Sequence, residues 1–121
     1  MNDADTRERL AFLTLNSVLD ALSRHIGEKQ GVRADRLVAE ILGETNKHRE
    51  RQLRDTVSDL RLAGYHICAH PRTGYFMAAT AEELDRTCAF LYDRAMASLM
   101  QIAAMKKVSL PDLRGQLRLH T

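Results

Sequence analysis

The sequence predicts a mainly α-helical protein with one small β-hairpin, an α+β fold in which a long helix follows the hairpin. Three observations carry this. Leu53, Val57 and Leu60 stand at i, i+4 and i+7, the apolar stripe of a helix. Beyond Gly64 the period drops to two, with Tyr65, Ile67 and Ala69 alternating with His66, Cys68 and His70 as in a half-buried strand. Gly74 closes the turn-prone string His70-Pro71-Arg72-Thr73-Gly74, and Tyr75-Phe76-Met77-Ala78 returns as the partner strand. After that hairpin, Thr80-Ala81-Glu82-Glu83 reads as a capping box, in which the threonine oxygen and Glu83 reciprocally satisfy the first free amides of a new helix.

Composition sets the bounds. A chain of 121 residues fits one core, and with 45% apolar residues and no tryptophan that core is built from Leu, Val, Ile, Ala and Met. The 28% of charged residues, beside this apolar content, argues against disorder. No run of 18 apolar residues is present, so no membrane span is expected, and the polar start MNDADTRERL lacks a signal-peptide apolar region. Two cysteines, Cys68 and Cys88, make no disulfide framework, and a reducing cytoplasm is the expected setting. The net charge of +2 is uninformative, but its distribution is not. Lys47, Arg49, Arg51 and Arg54 face one acid, Glu50, over eight residues, and Lys106, Lys107, Arg114 and Arg118 follow Met105 against Asp112 alone. Positive charge therefore gathers on one helix and on the tail, an arrangement suited to a polyanion.

In chain order, Phe12, Leu15, Leu19, Leu22 and Ile26 have 3-4 spacing and predict a first helix over Thr6 to Ile26, stopped by Gly27. Gly27 to Gly31 reads as a polar loop. Ala34 to Leu42 forms a second helix with Leu37, Val38, Ile41 and Leu42 inward and Gly43 as its stop. In the third helix Lys47, Arg51, Arg54 and Ser58 fall opposite the apolar stripe, and Gly64 sits where a left-handed cap is wanted. The helix after the hairpin extends to about Lys107, roughly 40 Å at 1.5 Å per residue. Its positions Leu84, Cys88, Leu91, Ala95, Ser98, Ile102 and Met105 follow a 4-3-4-3-4-3 pattern, a near-heptad stripe suited to a second copy of the chain or to the N-terminal helix. A short final helix is suggested after Val108, weakened by Gly115. The expected organisation is a domain over residues 1–79, a dimerisation helix over 80–107 and a basic tail over 108–121.

The segment LRLAGYHI, followed by a turn and GYFMA, resembles the recognition helix and wing of winged helix-turn-helix domains of the biotin-repressor-like and DeoR-like type. The family pattern is valine or leucine, three residues, isoleucine or valine, two residues, Leu-Arg, two residues, then Gly-aromatic-x-Ile; Leu53, Val57, Leu60-Arg61, Gly64-Tyr65 and Ile67 fill it. The resemblance covers Val32 to Ala79, and the whole chain looks like small phage-encoded proteins that add one long helix after the wing. It implies that Val32 docks in the core as a short extended segment. It also implies sequence-specific binding of double-stranded DNA in transcription control or replication. The third helix would enter the major groove with Lys47, His48, Arg49, Arg51, Gln52, Arg54 and Ser58, while His70, Arg72 and Thr73 of the wing meet a flanking phosphate or minor groove. In such regulators the second and third helices are joined by three or four residues. Counted back from Leu53 this chain has about four more, so Glu44 to His48 is expected as a longer basic loop and the helix as starting near Arg49.

Other chemistry is weighed against plainer explanations. His66, Cys68 and His70 share one strand face but stand about 7 Å apart with no fourth ligand in view, so an exposed polar face is expected and no metal. No phosphate-binding Gly-rich loop, nucleophile elbow or metalloprotease motif is present, so neither catalysis nor a cofactor is expected. Glu82 and Glu83 are explained by capping, His25 by the end of the first helix, and Tyr75 and Phe76 by packing. The competing function is a winged-helix interaction module that binds and inhibits or recruits a host protein. Asp55 and Asp59 on the third helix make its charge mixed, which is what that alternative draws on.

Overall fold

The structure, a computed structural model, describes residues 13–107. The first helix is expected partly at Phe12 and before, and the final short helix and basic tail at 108–121; both stretches lie outside the described residues. The elements are α1 (Leu15–Leu22), a 3₁₀ turn (Glu28–Gln30), α2 (Ala34–Leu42), α3 (Lys47–Leu62), β1 (Ile67–His70), β2 (Gly74–Met77) and α4 (Ala81–Lys106). The fold is α+β and mainly helical, with a two-stranded antiparallel hairpin and a long C-terminal helix. Among the described residues no helix is long and apolar enough to cross a membrane. The chain divides into two compact units, Met1–Asp85 and Arg86–Thr121.

In the first unit α1 is shorter than its periodicity suggests. Thr14 opens it, accepting from the Ser17 amide while the Ser17 hydroxyl accepts from the Thr14 amide. Val18, Ala21 and Leu22 are buried, whereas Leu15 is 49% exposed and Ile26 55% exposed. The helix stops at Leu22 because the next residues pair with the hairpin: the Met77 amide donates to His25 O and the Gly27 amide to Met77 O, both at 2.8 Å. Val32 then adds a second stretch to the same edge, exchanging two 2.8 Å hydrogen bonds with Tyr75, and its side chain is buried as expected.

The core joins Val18, Ala21, Leu22 and Val32 to Leu37 and Val38 of α2, Leu53, Val57 and Leu60 of α3, and Ile67 of β1. Gly43 closes α2 in the left-handed region. The connection to α3 is only Gly43 to Asn46, a tight turn, and no longer loop exists. Asn46 caps α3 by accepting from the Arg49 amide at 2.9 Å, so Lys47 and His48 belong to the first helical turn instead of to a loop before it. At the other end the Gly64 amide donates to Arg61 O and the Tyr65 amide to Leu60 O, the paired bonds of a Schellman cap.

In the hairpin Ile67 pairs with Met77, Cys68 with Phe76, Ala69 with Tyr75 and His70 with Gly74. Neighbouring strand residues point to opposite faces, yet Ile67 and Cys68 are both buried. The expectation of an exposed polar face through His66, Cys68 and His70 is therefore wrong at Cys68. Its face carries buried Phe76 and meets the start of α4, where the Cys68 thiol donates to Glu83 O at 3.6 Å. Tyr65, expected to face inward, is 44% exposed.

The N-terminus of α4 also differs from a simple capping box. The Glu83 amide donates to Thr80 Oγ1 at 3.2 Å, but the Glu83 carboxylate accepts from the Ala79 amide at 2.7 Å and the Glu28 amide at 2.8 Å. One side chain thus ties the 3₁₀ turn to the residues after the hairpin.

The described part of the second unit is the remainder of α4. Thr87 and Ala103 are buried, and Met96, Leu99 and Ile102 are half-buried. In the C-terminal half the covered side runs through Met96, Leu99 and Ala103, one residue step from the heptad positions Ala95, Ser98 and Ile102. Those heptad positions are exposed at Cys88, Leu91, Ala95, Ser98 and Met105. Phe90, Tyr92 and Met100 are exposed as well, with the Arg94 guanidinium 5.9 Å from the Phe90 ring centre.

Candidate functional site

The outer surface of α3 follows from its anchored side. With Leu53, Val57 and Leu60 buried, rotation by about 100° per residue puts Lys47, Arg51, Arg54 and Ser58 within about 60° of one another on the exposed side. All four are exposed. The row spans about 16 Å along the axis at 1.5 Å per residue. Asp55 stands at i+4 from Arg51, about 40° further round, and Asp59 one such step beyond it, so acids adjoin the row on the same exposed side of the helix.

One member of the row, Arg54, acts electrostatically on the hairpin. Burial pushes the Tyr75 phenol above its ordinary pKa, and the positive charges of Arg61 and then Arg54 partly offset that shift. Arg61 Nε donates to Ile67 O at 2.8 Å, locking the end of α3 to β1, while its Nη2 is buried without a partner. Neither Arg61 nor Tyr75 is evident as a site residue from sequence: Arg61 enters there only through the Leu60-Arg61 position of the fold pattern, and Tyr75 only through packing.

The remaining sequence-derived residues separate into presented and anchored groups. Arg49 and Gln52 are half-buried and joined by a 3.4 Å hydrogen bond from Arg49 Nη1 to Gln52 Oε1, on the side away from the row. In the hairpin turn Arg72 is exposed, with its amide donating to His70 Nδ1 at 3.1 Å. His70 Nε2 stands 3.7 Å from Glu28 Oε1. Thr73 turns inward: its hydroxyl is buried and lacks a hydrogen-bond partner. Gly31 makes this close approach possible, because a Cβ there would lie 2.6 Å from Thr73 O.

His25 is not a helix-end residue. Its Nδ1 lies 2.9 Å from Gln30 O and its Nε2 3.1 Å from Glu40 Oε1, so both nitrogens face acceptors, an arrangement in which both can donate only from a doubly protonated ring. Among the described residues no three His, Cys, Asp or Glu side chains gather into a metal-binding group.

A second cationic region, which the linear sequence conceals, lies beside the β1–β2 turn. A groove of about 750 Å³ is bordered by Lys29, Arg33, Arg36 and Arg72, together with His25 and Glu40. The available signal was Arg33, Arg36 and Glu40 at i, i+3 and i+7 on one side of α2, but Lys29 and Arg72 join them only through tertiary structure. No family model, curated protein or solved structure matches this chain.

Proposed function

We propose that this chain is a winged-helix protein that binds double-stranded DNA, with α3 in the major groove and the β1–β2 turn on the flanking backbone. It acts by binding, in transcription control or replication of a phage-type element, rather than by catalysis. The observation that carries the reading is the exposed row Lys47, Arg51, Arg54 and Ser58 on a helix whose other side is anchored in the core by Leu53, Val57 and Leu60. A helix about 10–12 Å across fits a major groove about 12 Å wide, and arginine in that groove can donate to guanine O6 and N7 in a bidentate pair.

Duplex binding is expected to depend steeply on salt. If about four phosphates are neutralised, affinity should fall about a hundredfold between roughly 50 and 200 mM monovalent salt. Fluorescence anisotropy with a labelled random duplex measures this. Negligible duplex affinity at low salt would favour the interaction-module reading.

The same reading includes a homodimer through α4. Its exposed near-heptad positions, Cys88, Leu91, Ala95, Ser98 and Met105, form a seam that a second copy of the helix complements by its own repeat. Leu91→Glu with Met105→Glu changes two exposed side chains. Equilibrium sedimentation should give a dimer for wild type and a monomer for this variant; a wild type that stays monomeric at tens of micromolar contradicts the seam.

A further inference from the structure

The groove beside the wing has a charge balance that the fold does not consume. Lys29 comes from the 3₁₀ turn, Arg33 and Arg36 from the start of α2, and Arg72 from the hairpin turn, so three separate segments bring four cations to one cavity. Among the described residues, none of these four side chains forms an ion pair or side-chain hydrogen bond. The acid in the lining is already committed: the Glu40 carboxylate meets His25 Nε2 at 3.1 Å and Arg24 Nη2 at 3.5 Å. Glu28, on the same turn as Lys29, stands against His70. Like charges held together without counter-charge repel, and a bound anion would relieve that repulsion.

The excess of positive charge is confined to this cavity. Arg33 also lines a neighbouring groove of about 480 Å³ with Lys47, the first residue of α3, but there Asp35 and Glu50 balance the two cations. Arginine pairs suit phosphate oxygens because the planar guanidinium donates in a fork, and the larger groove has room for an organic portion beside the phosphate.

We propose that this groove is a phosphate-binding site that accepts the phosphate of a nucleotide, either as a phosphodiester of bound DNA or as a free phosphate ester. The site stands on its own cations and does not require α3 to be the DNA-reading helix.

The test uses the full-length chain, labelled for amide NMR and titrated at low salt with a mononucleotide 5′-phosphate and, separately, with a short duplex. The mononucleotide is expected to shift the amides of Gly31, Arg33, Arg36 and Arg72. Arg33→Gln with Arg36→Gln, both exposed in the wild type, should leave the rest of the spectrum in place and weaken that binding by about tenfold. Arg51→Ala with Arg54→Ala should leave mononucleotide binding intact, which separates this site from the α3 surface. If the Arg33/Arg36 variant also loses about tenfold in duplex affinity, the source is the DNA backbone; if duplex affinity is unchanged, it is a free phosphate ester. Absence of shifts at these amides with either probe at millimolar concentration, or mononucleotide binding unaffected by Arg33→Gln/Arg36→Gln, overturns the assignment.

Discussion

Gly74→Ala is expected to lower the unfolding free energy by about 3–4 kcal/mol, a large share of the roughly 5–15 kcal/mol typical of small domains. Two separate effects add. Gly74 has φ of +90°, where an L side chain costs about 1–2 kcal/mol. A Cβ at this position would also lie 2.2 Å from Val32 O and 2.4 Å from Val32 C, both backbone atoms that cannot rotate away. The turn would have to lift off the 31–33 segment, breaking the two Val32–Tyr75 hydrogen bonds at about 1 kcal/mol each. Gly43→Ala is the control: its φ is +85°, yet nothing lies within 4 Å of an added Cβ. It should cost only the conformational part, about 1–2 kcal/mol. Denaturant unfolding of both variants measures the difference, and equal losses would show that contact between the wing and Val32 contributes nothing.

That contact also explains where sequence reasoning succeeded and where it stopped. Features set by local rules were legible: α2 with its glycine stop, the cap at Gly64, the change of period at the same glycine, the turn at Gly74 and the start of α4. Features set by distant partners were not. Nothing local says that α1 ends at Leu22, because 3-4 spacing continues through Ile26; the stop comes from His25 and Gly27 pairing with Met77, about fifty residues away. Cys68 alternates with buried neighbours as an outward residue should, and it is buried because α4 returns over that face. Glu83 occupies a capping-box position, yet its carboxylate is drawn to the Glu28 amide.

The start of α3 is a different failure. α3 begins at Lys47 rather than near Arg49 because the Asn46 side chain accepts from the Arg49 amide, a cap that the spacing of the resembling regulators does not anticipate. With the start at Lys47 the turn is four residues long, and the extra residues form helix. As a result Lys47 joins the same exposed row as Arg51 and Arg54. The row itself was legible from periodicity alone, whereas the groove of Lys29, Arg33, Arg36 and Arg72 was not, since its members approach only when the wing folds back on the start of α2.

Replacing Arg51 and Arg54 together by alanine is expected to have the largest effect on binding. Each side chain would contribute about 1–3 kcal/mol if it reads a base edge, so the pair would lose about 2–6 kcal/mol for the specific site. If instead the two meet only phosphates, all duplexes should weaken alike and the salt slope should fall by about one unit for each. Both side chains are exposed and outside the core, so thermal stability should hardly change. The most direct test of DNA recognition by α3 is therefore duplex affinity of wild type and the Arg51→Ala/Arg54→Ala variant at two salt concentrations, beside their melting temperatures. The proposed function predicts salt-sensitive binding in the wild type and at least a tenfold loss in an equally stable variant. A folded double variant that binds duplex as tightly as wild type would contradict it.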